Sequence, residues 1–181
     1  DLTSAFGKAL YEAHQLGLIS RAPRLAAVQA LGANPFYRSF TGGFSQRERV
    51  HAETIATAIK IGDPVSFKRA VRAIEWTNGV VTQVSDAEIM DAKAQVDAAG
   101  IGCEPASASS VAGIKRLVRE GVVKSGESVV AVLTGHLLKD PGLVAEMTER
   151  NYQLAQRHFS YATLERRLET LLLSCFGEEP G

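Results

Sequence analysis

Short apolar runs alternate with helical patterns along most of this sequence, and that alternation restricts the fold more than any other feature. The apolar runs at 24–30, 80–84, 101–103 and 128–133 predict strands, and helical patterns lie between them. Strands and helices in alternation predict right-handed crossovers, hence an α/β fold with an open, mostly parallel sheet and helices on both faces. Ligands of such sheets bind beyond the carboxyl ends of the strands. The loops that follow the strands are therefore the candidate sites.

Capping residues predict where two of the helices begin. Asp63 followed by Pro64 predicts a helix start, because an N-cap acceptor precedes a proline at the first helical position. Ser85, with Glu88 three residues later, predicts a capping box. Residues 32–53 contain many Gly, Pro, Ser and Arg, which predicts a long irregular loop.

Composition argues against several classes of function. Twenty Lys and Arg residues balance twenty Asp and Glu residues, so no net charge attracts nucleic acid or an anionic membrane surface. The sequence has no apolar run of about 18 residues and no signal-peptide pattern, which predicts a cytoplasmic chain. Cys103 and Cys175 have neither disulfide nor metal spacing and are predicted to be buried apolar residues. The four histidines are too scattered to predict a metal site.

The two ends of the chain differ from its middle. Asp1 stands where a natural start has Met, and helical spacing begins at once, so we expect a piece that starts within a domain. Residues 142–181 carry a leucine stripe that includes Leu164 and Leu168, with charges between its members. We therefore predict an α/β part at 1–141 and a helical carboxyl-terminal extension at 142–181. The extension packs on its own domain in the simpler interpretation, and a subunit contact is the alternative.

The loop after the last predicted strand has the most varied chemistry. Thr134, Gly135, His136 and Lys139 supply a hydroxyl, a glycine, an imidazole and an ammonium in close succession. On spacing alone, capping of the turn explains Thr134 better than a binding role does. His136 and Lys139 are equally well explained by structural or solvated roles. No serine, histidine and acid arrangement stands out, so a hydrolase or a metalloenzyme has no support.

Three stretches, taken together, resemble threonine synthases, which are pyridoxal-phosphate enzymes of fold type II. The stretches are 53–64 (ETIATAIKIGDP), 103–109 (CEPASAS) and 132–141 (VLTGHLLKDP), and their order and spacing also match. The second stretch alone is similar to threonine dehydratases as well, whereas the third favours the synthase. The resemblance covers 1–141 and implies that this part is the carboxyl-terminal part of the cofactor-binding large domain.

The resemblance also implies an activity and a site. The activity is conversion of O-phospho-L-homoserine and water to L-threonine and phosphate, with pyridoxal 5'-phosphate as the cofactor. Thr134 matches the family's threonine that donates its hydroxyl proton to the pyridine nitrogen. Asp1 matches the last residue of a glycine-rich cradle that holds the cofactor phosphate at a helix N-terminus. The implied cofactor site further includes Gly135, Glu104 and Ser107, with helix capping as the structural alternative for Ser107.

No catalytic residue is expected within this chain. In the family that it resembles, the lysine that binds the cofactor as a Schiff base belongs to a Ser-Phe-Lys-Asp motif in the amino-terminal half, which is then an expected partner of this chain. Ser66-Phe67-Lys68 is similar, but Phe67 falls on an apolar helical stripe and Lys68 is predicted to face solvent. We therefore reject Lys68 as the cofactor lysine. Leu137 departs from the family pattern, which usually has glycine there.

Two alternatives stay open on the sequence. The first is another lyase of fold type II, such as a threonine dehydratase. The second is a non-catalytic module that binds a partner through its helical tail, and the missing lysine favours this interpretation for the chain taken alone. For the complete enzyme a homodimer is expected, with a small-molecule substrate as its ligand.

Overall fold

The computed structural model describes residues 2–136 and, beyond them, residues 145, 148–150, 152–153 and 166. Residue contacts divide the chain into two units, Asp1–Leu137 and Leu138–Gly181. The predicted division after residue 141 stays a prediction, and the predicted leucine stripe lies outside the described residues. No helix in the described part has both the length and the apolar character that a bilayer crossing requires.

Two parallel strands form the sheet of the first unit. Strand β1 (Ala26–Ala30) pairs with strand β2 (Val80–Val84) along its whole length, with Ala26 opposite Val80 and Ala30 opposite Val84. The strands predicted at 24–30 and 80–84 are therefore confirmed. Parallel pairing requires a long crossover, and the chain between the two strands contains helices.

The described part of the chain forms five α-helices and one 3₁₀ turn. The capping box is confirmed, because Ser85 accepts the N–H of Glu88 and the Glu88 carboxylate accepts the N–H of Ser85. Gly100 follows the same helix with φ of 81°, a left-handed conformation that suits glycine. The helices are α1 (Leu2–Gln15), α2 (Pro35–Thr41), α3 (Phe67–Trp76), α4 (Asp86–Ala98) and α5 (Pro105–Arg119), and the 3₁₀ turn is Thr57–Ile59.

Helices cover both faces of the sheet, as predicted. Side chains alternate between the faces along a strand, so Ala27 and Val81 point to one face and Val28 points to the other. Ala27 and Val81 belong to a buried cluster with residues of α2 and α3. Val28 packs against a second cluster that α4 and α5 supply. Helix α5 packs tightly on the sheet at Gly113, where an added Cβ would overlap the Val28 side chain.

The segment 32–53 is not irregular throughout, contrary to the prediction. Helix α2 occupies Pro35–Thr41, and its first residue is the proline that follows Asn34. The fixed φ of proline suits the first turn of a helix, where its missing N–H has no partner to lose. The Asn34-Pro35 pair was therefore a helix signal within glycine-rich text.

The predicted helix start at Asp63 is wrong. Helix α3 begins at Phe67, and Ser66 holds its N-cap position. The carboxylate of Asp63 instead pairs with Arg47 and Arg49 from the preceding loop. The Asp63 carboxylate therefore takes part in tertiary ion pairs and does not cap the helix.

Two predicted strands are not part of the described sheet. The run 128–133 has no ladder partner among the described residues, and Val130 is 84% exposed. The run 101–103 contributes only a single antiparallel bridge, between Cys103 and His136. An apolar run specifies side chains that favour burial, but a strand also needs a neighbouring backbone to bond. Among the described residues, β1 and β2 alone have a neighbour along the whole length of the strand.

Candidate functional site

The carboxyl ends of β1 and β2 meet at one edge of the sheet. Leu31 N–H donates to Val84 O over 2.8 Å just past the end of β1. Ala30 and Val84 are fully buried at this edge. Segments distant in sequence converge here, because the same cluster also contains Ala56, Cys103 and Ala108, with Leu133 packed against it.

The loop of Thr134 and Gly135 contacts the first turn of α5 at this edge. Gly135 N–H donates to Ser107 Oγ over 2.7 Å, and Ser107 Oγ lies 3.3 Å from Thr134 Oγ1. Glu104, at the N-cap position of α5, donates its N–H to Gly135 O over 3.0 Å. Ser107 is 2% exposed, whereas Thr134 is exposed. The structure thus brings together four residues that the sequence singled out, Thr134, Gly135, Glu104 and Ser107.

The Glu104 side chain packs directly against Gly135. A Cβ added at position 135 would overlap the Glu104 carboxylate, so a larger residue there would have to displace that side chain. The Glu104 carboxylate therefore lies against the backbone of the loop. Its side chain makes no capping bond to α5, but its carbonyl oxygen accepts the N–H groups of Ser107 and Ala108 while its own N–H donates to Gly135 O. Glu104 therefore connects the Thr134 loop to the start of the helix.

A second loop near this edge is held by Asp86, which sequence analysis did not single out. Asp86 is the first residue of α4, directly beyond Ser85 at the end of β2. Its carboxylate accepts the Thr54 hydroxyl at 2.5 Å and the Ile55 N–H at 3.1 Å. These bonds fix the segment that leads into the 3₁₀ turn Thr57–Ile59, which contacts α5. An acid just after a parallel strand was the available signal.

Other residues considered in the sequence lie on other elements or outside the described residues. Lys68 is exposed on α3 beside the buried Phe67, as predicted. Helix α1 begins at Leu2, directly after the residue matched to the phosphate cradle. That residue, Asp1, lies outside the described residues, so its role stays a prediction. Leu137, Lys139 and Cys175 also lie outside them.

Cys103 is a buried, free thiol beside the candidate site. Burial is the main cause that raises the pKa of the Cys103 thiol, and the negative charge of Asp97 adds to it. A thiol with a raised pKa stays protonated near neutral pH and is a weak nucleophile. The prediction that Cys103 is a buried apolar residue is confirmed.

Comparisons with known proteins identify relatives of this chain. A family model described as pyridoxal-phosphate dependent enzyme matches residues 2–135. The chain is 41% identical to a threonine synthase from Methanosarcina acetivorans, over 81% of the chain and 36% of the relative. It is 43% identical to a threonine synthase from Mycobacterium tuberculosis, over 76% of the chain and 37% of the relative. The chain therefore spans little more than a third of the length of these relatives.

Among solved structures, the chain is similar to maize serine racemase. The TM-score is 0.58 at 17% sequence identity, over 83% of this chain and 44% of that chain. This likeness confirms the predicted α/β class, a parallel sheet with helices on both faces. The family model covers most of the chain and implies pyridoxal phosphate as the cofactor. The chain belongs to the family of pyridoxal-phosphate dependent enzymes.

Proposed function

We propose that this chain is the carboxyl-terminal portion of a threonine synthase, which converts O-phospho-L-homoserine and water to L-threonine and phosphate. The observation that carries the proposal is the exposed residue Thr134 at the carboxyl edge of the sheet, whose hydroxyl contacts the buried Ser107. The 41% identity to the Methanosarcina acetivorans threonine synthase supports the same activity.

The side chains at this edge fit a pyridoxal-phosphate ring. Thr134 Oγ1 contacts Ser107, and Thr134 is an exposed residue, so its hydroxyl is proposed to donate to an acceptor such as the ring nitrogen. A hydroxyl is a neutral donor and favours an unprotonated ring nitrogen over a protonated one. When bound, the cofactor supplies the electron sink for the reaction. Thr134 then orients the ring and sets the protonation state of its nitrogen.

Glu104 and Gly135 hold the loop that carries this hydroxyl. The Gly135 N–H is occupied by Ser107, and its carbonyl oxygen accepts the Glu104 N–H. The Glu104 carboxylate lies against the same residue. A loop fixed at three points loses little conformational freedom when a ligand binds. We assign both residues to the cofactor site as supports for Thr134.

The lysine that holds the cofactor and most of the phosphate cradle are proposed to lie in an amino-terminal part of the enzyme. The relatives offer room for such a part, since the match covers 36% of the Methanosarcina acetivorans protein. Lys68 is exposed on α3, and the buried Lys93 is already paired with Asp97 over 2.5 Å. Neither is proposed as the cofactor lysine. Asp1 as the last cradle residue, a homodimer and a cytoplasmic location stay predictions.

Product analysis of the complete polypeptide that carries this chain tests the proposal. We expect phosphate release from O-phospho-L-homoserine, with one L-threonine formed for each phosphate. A threonine dehydratase would instead release ammonia from L-threonine and leave the phosphate ester intact. Ammonia without phosphate would therefore favour the dehydratase. Neither product, in a folded protein that is given the cofactor, would favour the non-catalytic alternative.

A further inference from the structure

Ser107 is too deeply buried to touch a cofactor, yet it contacts the side chain proposed to do so. It is the third residue of α5 and is 2% exposed. Its Oγ lies 3.3 Å from Oγ1 of the exposed Thr134. Its contribution to the site is therefore made through Thr134.

The hydrogen bonds around Ser107 limit where its proton can go. A serine hydroxyl has one proton to donate and two lone pairs that accept. One lone pair takes the Gly135 N–H at 2.7 Å. The proton has two acceptors at 3.3 Å, which are Gly135 O and Thr134 Oγ1, and either hydroxyl can be the donor in the contact with Thr134. Gly135 O already accepts the Glu104 N–H at 3.0 Å, so it is the better supplied of the two.

We propose that Ser107 is a positioning residue that donates its proton to Thr134 Oγ1 and so directs the Thr134 proton outward, to the ring nitrogen of the cofactor. This inference rests on the proposed function. When Ser107 donates to Thr134 Oγ1, the Thr134 proton is not used in the bond between these two hydroxyls. A donor behind a hydroxyl also polarises it, which strengthens the bond that the hydroxyl makes on its other side.

A purely structural role for Ser107 makes different predictions. In that role its hydroxyl only satisfies the buried N–H of Gly135. Its removal would then lower stability and loosen the Thr134 loop, whereas Ser107→Cys, whose sulfur still accepts this N–H, would keep the proton equilibrium of the cofactor. The two roles therefore separate on a property of the bound ring rather than on stability.

The test is a double-mutant cycle of Ser107→Ala and Thr134→Val in the complete holoenzyme. The readouts are the dissociation constant of the cofactor and the pH dependence of its absorbance. We expect Ser107→Ala alone to weaken cofactor binding by about tenfold, the effect of one lost hydrogen bond, and to shift the pH profile. In the Thr134→Val background the same change should have little further effect.

Two further variants accompany the cycle, one as a control and one as a conservative substitution. Ser109→Ala is the matched control, because Ser109 is a buried serine of the same helix whose hydroxyl donates to Ala106 O at 2.6 Å. It should leave the absorbance profile unchanged. Ser107→Cys keeps the size of the side chain with a weaker donor. It should give an intermediate shift of the pH profile, and it replaces Ser107→Ala in the cycle if the alanine variant does not fold.

The outcomes separate the positioning role of Ser107 from the proposed function. Additive effects of the two substitutions, or a wild-type pH profile in Ser107→Ala or Ser107→Cys, would overturn the positioning role and leave the proposed function intact. A wild-type profile in Thr134→Val alone would overturn both, because Thr134 would then have no contact with the ring nitrogen for Ser107 to direct.

Discussion

Two apolar runs look alike in this sequence and differ in the structure. Val80–Val84 pairs with β1, and Val84 at its end is fully buried. The run 128–133 is as rich in valine, yet Val130 is 84% exposed and the run has no ladder partner among the described residues. Composition therefore does not decide which run becomes a buried strand. The availability of a neighbouring backbone does.

The largest expected effect tests whether the run 128–133 gains a neighbour in the complete polypeptide. Val84→Asp should lower the free energy of unfolding by about 4 kcal/mol there, because it buries a carboxylate without a partner. Val130→Asp should cost about 3 kcal/mol if the proposed amino-terminal part covers it. Denaturant titration measures both changes.

An exposed valine elsewhere provides the matched control for that comparison. Val65 is 92% exposed just before α3, and Val65→Asp should change the free energy of unfolding by less than about 0.5 kcal/mol. If Val130→Asp is as mild as Val65→Asp, the run 128–133 stays uncovered and the prediction of a strand is wrong for the complete polypeptide also.

A smaller effect concerns acid stability at the carboxyl end of the buried strand. The Ser85 N–H bond to the Glu88 carboxylate is the largest cause that lowers the pKa of Glu88 below its ordinary value of 4.5, and the Arg119 side chain also lowers it. A lowered folded pKa stabilises the protein above pH 4.5, and this contribution is lost as the pH falls through the folded pKa. Glu88→Gln should therefore reduce the loss in the free energy of unfolding at acidic pH. The change should be less than about 1 kcal/mol because the side chain is partly exposed.

Chemical denaturation at a series of pH values measures that change. Glu75→Gln is the control, since Glu75 is an exposed carboxylate near the end of α3. The control should lose as much free energy of unfolding at acidic pH as the unmodified protein does. If both variants reduced that loss equally, the capping box would not be its source.

Features whose partners lie within one helical turn were predictable from the sequence. The capping box of Ser85 and Glu88 was predicted correctly, because both of its bonds join residues three positions apart. The end of α4 before Gly100 was predictable for the same reason, since glycine suits the left-handed conformation just beyond a helix. Local chemistry alone decides such features.

Features that depend on distant partners were not predictable. Asp63 reads as a helix cap until Arg47 and Arg49 are seen to pair with it. Ser107 and Thr134 are 27 positions apart, and no local pattern joins them. The resemblance to threonine synthases named both residues for the cofactor site, but only the fold gives the contact between them.

The protonation state of the cofactor's ring nitrogen tests the proposed role of Thr134 most directly. Pyridoxal phosphate labelled with ¹⁵N in the ring reports that state by NMR in the complete holoenzyme. We predict the chemical shift of an unprotonated, hydrogen-bonded nitrogen, which moves toward the shift of a nitrogen without that bond in Thr134→Val. Thr41→Val, which changes an exposed threonine bonded to Arg38 O at 2.8 Å, should leave the shift in place. An identical shift in Thr134→Val and the unmodified protein would contradict the account.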